Sequence, residues 1–245
     1  MALKVHINGA RGRMGQALIS CAAEFSDLSV VATTDVGDDF PAQLAKADVC
    51  IDFSHHSALE SIIANCVTAK KILVIGTTGI SDAGEEKIHA ASKTIPIVYS
   101  GNYSTGVNTL LWLTRKAAEI LGPSFDLEVI ETHHRMKKDA PSGTARMLAQ
   151  TLAEVRGLQY NRDVRHGRAG DVGARTQTEI GMHAVRGGDV VGDHTVIFAA
   201  LGERVELSHK ASSREIFARG ALRAALWVQK QSAGLYDMRD VLGLR

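Results

Sequence analysis

The first fifteen residues constrain this chain more than any other stretch. Leu3-Lys-Val-His-Ile-Asn8 reads as a strand and runs directly into Gly9-Ala-Arg-Gly-Arg-Met-Gly15. Ala17, Leu18, Cys21 and Ala22 then take helical spacing. A strand, a glycine turn and a helix in that order form the context that a dinucleotide fingerprint requires. The turn is GxxGxxG, with Arg11 where the usual pattern has its middle glycine. Leu28 to Thr34 is a second strand, and it ends at Asp35, twenty residues beyond Gly15. A carboxylate there is placed to accept hydrogen bonds from the adenosine ribose hydroxyls, and that reading is preferred to a surface turn acid.

The same rhythm continues. Asp48 to Phe53 is a near-continuous apolar strand, Lys71 to Ile75 a fourth and Ile95 to Tyr99 a fifth, separated by helix-length segments. Strands without polar alternation are expected in a parallel sheet covered on both faces. The repetition therefore predicts a Rossmann-type, doubly wound parallel sheet. Ser54-His-His-Ser57 follows the third strand, with Ser54 or Ser57 expected to cap the next helix. Gly76-Thr-Thr-Gly79 follows the fourth, and a glycine-flanked threonine pair at a carboxyl edge suits close approach of a ligand.

Past residue 104 the pattern changes. Thr105 to Leu121 reads as a long helix stopped by Gly122-Pro123. Thr178 to Val185, Val190 to Leu201 and Arg204 to His209 read as antiparallel strands, with Gly187-Gly188 as a hairpin signal. The polar stretch Asn161 to Gly173 reads as a mobile loop, and Ser213 as the start of a last helix. The expectation is an α+β second domain with a mixed, mostly antiparallel sheet. The dinucleotide-binding domain takes 1–104 and 214–245, and a substrate-binding and oligomerisation domain takes 105–213. A large sheet in a small domain favours self-association.

Within that second part, Glu128 to Ala145 concentrates unusual chemistry. A strand carrying Glu128 and Glu131 delivers His133, His134, Arg135, Lys137 and Lys138 into a segment that Pro141 keeps irregular. Ser142 is a natural N-cap for the helix that follows, and Gly143 lets a ligand approach its first turn. Amides at a helix start bind carboxylate or phosphate, and histidine titrates near neutral pH. The combination describes a site for an anionic substrate that needs a proton. A solvated basic loop is the plainer reading, but the compression of these groups into a dozen residues favours the site.

Composition narrows the alternatives. With 28 basic and 27 acidic residues the net charge is +1, which gives no electrostatic reason to expect nucleic acid or a membrane surface. Aromatic content of 5% makes base-stacking platforms improbable. Cys21, Cys50 and Cys66 lie in apolar settings without CxxC spacing, as free thiols in a reducing cytoplasm would. No apolar run approaches the roughly 20 residues of a membrane span. The strand at the N-terminus leaves no room for a signal peptide, and the expected location is the cytoplasm.

Several motifs occur together and in order: Gly9-x-x-Gly-Arg-Met-Gly15, Gly76-Thr-Thr-Gly79, Asn102-Tyr-Ser104, Glu131-Thr-His-His-Arg-Met-Lys-Lys-Asp-Ala-Pro-Ser-Gly-Thr144, Arg186-Gly-Gly-Asp-Val-Val-Gly-Asp-His194 and His209-Lys-Ala-Ser-Ser-Arg214. Over essentially its whole length the chain resembles the 4-hydroxy-tetrahydrodipicolinate reductases (dihydrodipicolinate reductases). The resemblance implies reduction of the cyclic dicarboxylic imine of the diaminopimelate–lysine route by NADH, NADPH or both. It implies His133 as proton donor, Lys137 as a second polar catalytic residue, and His134, Gly143 and Thr144 as substrate-carboxylate contacts. It implies cofactor contacts at Gly9, Arg11, Gly12, Arg13, Met14, Gly15, Asp35, Gly76, Thr77 and Thr78, and at Ser100, Asn102 and Tyr103. No metal is implied. The tail is expected to return to the first domain, and four subunits to assemble as a homotetramer through the second-domain sheets.

Three positions depart from the better-known pattern. Val36 stands where some relatives carry an arginine for the 2′-phosphate, His55 where arginine is frequent, and Met136 where a polar residue is usual. Asp35 itself repels a 2′-phosphate, so NADH is expected to serve at least as well as NADPH, with Arg11, Arg13 and His55 as the remaining phosphate contacts. An acyl-enzyme dehydrogenase would need a nucleophilic cysteine in a second-domain cleft. A non-catalytic NAD(P)-sensing module would have no use for His-His-x-x-Lys beside an anion site. A metal hydrolase built on Glu131, His133 and His134 fails because neighbouring strand residues face opposite ways.

Overall fold

A computed structural model describes residues 1–244. In chain order the elements are β1 (Leu3–Asn8), α1 (Arg13–Ala22), β2 (Leu28–Thr34), α2 (Phe40–Leu44), β3 (Val49–Asp52), α3 (Leu59–Thr68), β4 (Ile72–Ile75), α4 (Asp82–Ser92) and β5 (Pro96–Tyr99). There follow α5 (Thr105–Leu121), β6 (Asp126–His133), α6 (Gly143–Arg156), α7 (Tyr160–Asp163), β7 (Val164–His166), β8 (Ile180–Arg186), β9 (Gly192–Ala200) and β10 (Glu203–Ala211). The tail forms α8 (Glu215–Val228), β11 (Gly234–Tyr236) and α9 (Met238–Leu242). The chain divides into two compact units, 1–105 with 214–245, and 106–213.

The first unit is a six-stranded sheet in the order β11-β5-β4-β3-β1-β2, parallel at every pairing. Its inner strands β3 to β5 read as near-continuous apolar runs because both faces are covered. Val5, Ile7, Val49 and Ile51 pack beneath α1 and α8 with Leu18, Ala221 and Leu222, while Cys50, Leu73, Ile75 and Ile97 pack with Ile62, Ile63 and Ile88 of α3 and α4. Each fully buried aliphatic side chain contributes about 1.5–3 kcal/mol relative to exposure. The chain order reverses between β1 and β3, and that switch point opens the crevice in which doubly wound sheets bind ligands. All three cysteines are buried free thiols.

The second unit is a mixed sheet in the order β10-β9-β6-β8-β7. β6 is its centre, antiparallel to β9 and parallel to β8. Its burial alternates strictly, so Leu127, Val129, Glu131 and His133 all face the core and α6. Glu128 lies on the opposite face.

Three expectations are corrected. Gly187-Gly188 does not close a hairpin, because β6 lies between β8 and β9. The connection instead crosses the end of β6 and hydrogen-bonds to it: the Gly187 amide donates to the His133 carbonyl at 2.9 Å, and the His134 and Arg135 amides donate to Val190 and Gly188 at 2.7 and 3.1 Å. The stretch from Asn161 to Gly173 carries the end of α7 and the edge strand β7, whose Val164 is buried against Ile180. Arg168 pins its far side, donating to Glu128 at 2.8 Å and to Glu179 at 2.6 Å. The helix caps also differ. His55 rather than either serine caps the turn before α3, Ser54 Oγ donating instead to Asp52 at 2.6 Å, and Arg214 occupies the cap position of α8.

Candidate active site

In the first unit the glycines of the opening turn are dictated by backbone crowding. Gly9 adopts φ +78°, and a Cβ on it would lie 2.6 Å from the Phe53 carbonyl oxygen. A Cβ on Gly15 would lie 2.2 Å from the Gly9 carbonyl oxygen, so the α1 helix presses its first turn directly onto the loop. Gly12 precedes the helix without a capping side chain. The first amides of a helix have no partner within it, and together with the dipole they make an anion site. The residues present therefore fit a pyrophosphate. Arg13 is exposed at the start of the helix, and Met14 packs its thioether against the core.

Asp35 stands at the end of β2. Its carboxylate accepts from the Arg11 amide and from its neighbour Val36, each at 2.8 Å, and those amides hold it below the usual carboxylate range. Each oxygen retains a lone pair for a ribose hydroxyl. A cleft of about 330 Å³ adjoins it, lined by Gly9, Asp35, Val36, Asp38, Phe40 and Ser54 among others.

Other predicted cofactor residues are built into the sheet edge rather than turned outward. Asp52 is fully buried and accepts from Asn8 Nδ2 at 2.7 Å, Ser54 Oγ at 2.6 Å and Thr77 Oγ1 at 2.7 Å. Thr77 is thus committed to this network, whereas Thr78 is exposed. Gly76 faces the Phe53 ring, which a Cβ would meet at 2.1 Å. The Tyr103 ring is buried in the core, its hydroxyl 2.8 and 3.0 Å from the Ile75 and Val98 carbonyls. The Ser100 hydroxyl donates to the Asn102 carbonyl, and the Asn102 side chain accepts from the Ser104 amide. The side chains of Thr77 and Tyr103 are therefore committed to the edge of the sheet.

In the second unit the core face of β6 ends in a buried polar cluster. Glu131 and His133 are two apart on a strand, so they share a face, and Nδ1 of His133 lies 2.5 Å from Glu131 Oε2. Glu131 is 0% exposed and His133 8%. Arg186 at the end of β8 grips the same carboxylate with both terminal nitrogens, each at 2.8 Å, and the Ser142 amide donates to it at 3.1 Å. Burial pushes the Glu131 carboxyl up, but Arg186, His133 and the Ser142 amide outweigh it, and the net displacement is downward. Glu131 is therefore a carboxylate, and it fixes the ring orientation of His133 and pairs the charge of its doubly protonated form. Nε2 is left as the nitrogen that would exchange a proton.

The loop beyond His133 is held by the same groups. Arg186 also donates to the Asp139 carbonyl at 2.7 Å. Lys137 Nζ donates to the Asp139 carboxylate at 2.9 Å, and the ammonium keeps that carboxyl below its usual range. His134 is half-buried, its backbone anchored on Val190. Ser142 caps α6 by accepting from the Ala145 amide at 3.2 Å, and its hydroxyl lies 3.0 Å from His194 Nε2. Gly143 opens the helix with open space where a Cβ would stand, and Thr144 follows it in the first turn. The structure thus gathers His133, His134, Lys137, Gly143 and Thr144 around one strand end and one helix start. No group of three or more side chains suited to hold a metal ion occurs among the described residues.

Four further residues belong to this cluster and were not assigned roles from sequence. Glu131 and Arg186 form the carboxylate–guanidinium support. His194 on β9 stands edge-on to His133 with ring centroids 5.2 Å apart, and burial followed by the proximity of His133 pushes it down to about 4, so it is neutral. Gly192 clears the ring, since a Cβ there would lie 2.9 Å from His133 Nε2. The available signal was a glutamate on the apolar face of an alternating strand.

Two family models match, the dihydrodipicolinate reductase N-terminus over residues 3–103 and its C-terminus over residues 106–242. A 4-hydroxy-tetrahydrodipicolinate reductase of Akkermansia muciniphila is 55% identical over 242 residues, covering 99% of this chain and 98% of that protein. The enzyme of that name from Pseudoalteromonas atlantica is 45% identical, covering 98% and 99%. Among solved structures, a dipicolinate-bound dihydrodipicolinate reductase from Paenisporosarcina sp. TG-14 superposes with a TM-score of 0.79 at 25% identity, over 97% of this chain and 98% of that one. A glycine-turn sheet joined to a β6-centred unit, matched from residue 3 to residue 242, places this chain in the dihydrodipicolinate reductase family.

Proposed function

We propose that the chain reduces 4-hydroxy-tetrahydrodipicolinate to tetrahydrodipicolinate, with a nicotinamide cofactor, in diaminopimelate and lysine biosynthesis. The net change adds one hydride and one proton to the ring and releases its hydroxyl as water. A bound nicotinamide supplies the hydride. Gly9, Gly12 and Gly15 with the α1 amides would hold its pyrophosphate, and Asp35 its adenosine ribose.

The second unit supplies the rest. The Gly143 and Thr144 positions at the start of α6, with His134, bind substrate carboxylate through helix-start amides and imidazole. His133 delivers the proton from Nε2 while Glu131 and Arg186 keep its ring fixed. Lys137 stabilises the charge that develops on the substrate, alternating between Asp139 and the ligand. The observation that carries this reading is the fully buried Glu131 holding His133 Nδ1 at 2.5 Å beside the α6 start. A buried charged pair at a strand end serves stability poorly, and its use is to orient a reacting group.

The acid at position 35 supports use of NADH at least as effective as NADPH. The half-exposed face of β10 supports assembly as a homotetramer through the second unit, which light scattering would read directly. The deciding assay follows nicotinamide absorbance after addition of freshly prepared 4-hydroxy-tetrahydrodipicolinate, with each cofactor. Turnover with NADH, and its collapse in His133→Ala and Lys137→Ala, is expected. Cofactor binding without any turnover would leave a sensing module and end the proposal.

A further inference from the structure

We infer that Asp38 sets the cofactor preference of this protein by holding the Arg11 guanidinium away from the 2′ position of the adenosine ribose. The inference rests on the dinucleotide-site reading above. Arg11 follows Gly9 and Ala10 in the turn, and its amide donates to Asp35, the ribose acid. Its side chain is therefore anchored within one residue length of the place where a 2′-phosphate would sit. Nη2 of that side chain lies 3.0 and 3.1 Å from the two carboxylate oxygens of Asp38, and Nη1 lies 3.5 Å from the Val36 carbonyl. Asp38 is itself fixed, because its Oδ2 accepts from the Asp35 amide at 2.8 Å. The loop from Asp35 to Asp38 thus carries two carboxylates around one guanidinium, with no other cation hydrogen-bonded to either carboxylate among the described residues.

Two consequences follow for a 2′-phosphate. It meets the negative charge of Asp35, and it must compete with Asp38 for Arg11. The competition is real but not prohibitive, since the pair is exposed at the surface, where an ion pair is weak and readily exchanged. NADPH is penalised rather than excluded. Removing the charge of Asp38 while keeping its acceptor leaves the Asp35 charge in place and releases Arg11 for the phosphate.

The test uses Asp38→Asn, Arg11→Ala and the double variant, with adenosine 2′,5′-bisphosphate and adenosine 5′-monophosphate as calorimetric probes. Asp38→Asn is expected to tighten the bisphosphate relative to the monophosphate by about tenfold, the scale of one charged hydrogen bond. The ratio of NADPH to NADH dissociation constants, read by nicotinamide fluorescence, should move by the same factor. In the Arg11→Ala background the gain should vanish, and higher salt should erode it. A ratio that stays within twofold, or a gain that persists without Arg11, overturns the assignment to Asp38 while leaving the dinucleotide site intact. Failure of wild-type protein to bind the monophosphate or NADH overturns the site reading and this inference together.

Discussion

Glu131 Oε2 and His133 Nδ1 lie 2.5 Å apart on the core face of a single strand, inside a shell closed by Arg186 and the Ser142 amide. The contact orients the imidazole so that Nε2 is the working nitrogen. Glu131→Gln keeps the shape but removes the charge and turns half of the acceptor into a donor. We expect kcat to fall by about 10²–10³-fold with a much smaller change in KM, the scale of general acid catalysis. An unchanged kcat would show that Glu131 is only a structural acid.

Gly192 tests the same geometry from the other side. Its missing side chain leaves room for the His133 ring, and a Cβ there would stand 2.9 Å from Nε2 and 3.6 Å from His194 Cε1. His133 cannot swing freely to relieve the clash because Glu131 holds its other nitrogen. Gly192→Ala should therefore displace the ring by a few tenths of an ångström to an ångström and reduce kcat by up to about 10²-fold, with the fold retained. Wild-type turnover in a variant with a wild-type melting curve would contradict the placement of Nε2.

Local sequence logic made the parallel sheet legible, and it missed the arrangement of the second sheet for a physical reason. Strands β1 to β5 announce themselves, β3 to β5 as apolar runs that only a doubly covered sheet can bury, whereas the three-residue edge strand β11 carries no such pattern. A Gly-Gly pair between two strands carries the same local signal whether it closes a hairpin or spans an intervening strand. Here β6 fills the gap, and its pairing partners are set by contacts 53 to 73 residues away that periodicity cannot encode. The site shows the same split. His133, Lys137 and the Ser142 cap are readable because they are contiguous, whereas Arg186, Gly192 and His194 reach the cluster from other strands. Glu131 was readable in principle, as the one charge on the buried side of an alternating strand.

Arg186 gives a stability prediction that separates support from chemistry. Glu131 has no solvent exposure, so Arg186→Ala leaves a buried carboxylate with only His133 and one amide. Breaking a buried pair in this way costs about 3–5 kcal/mol, whereas replacing both partners with apolar groups costs far less. Urea denaturation should show Arg186→Ala well below wild type and Glu131→Leu/Arg186→Met substantially recovered, though inactive. A loss under about 1 kcal/mol for the single variant, outside the range expected for a broken buried pair, would mean that solvent reaches the carboxylate.

The fold should weaken between pH 6.5 and 4, before most carboxylates titrate. His6 and His194 are both buried, and burial lowers each from 6.5 to about 4, with His133 adding to the effect at His194. Lowered histidine values mean that the folded protein holds these rings neutral while the unfolded chain protonates them. In that interval the unfolded state binds more protons, so stability is full above 6.5 and falls as the pH drops towards 4. Each ring contributes on the order of 3 kcal/mol to the total loss. The lowered carboxyls of Glu128 and Glu131 act in a separate window, since their contributions are present above about 4.5 and disappear only as the pH falls through their lower folded values. Urea midpoints measured from pH 7 to pH 4 should therefore decline steadily for wild type. His6→Asn and His194→Asn, whatever their absolute stability, should each flatten that decline, and the double variant should flatten it most. An undiminished slope in the double variant would mean that other groups carry the acid sensitivity of the fold.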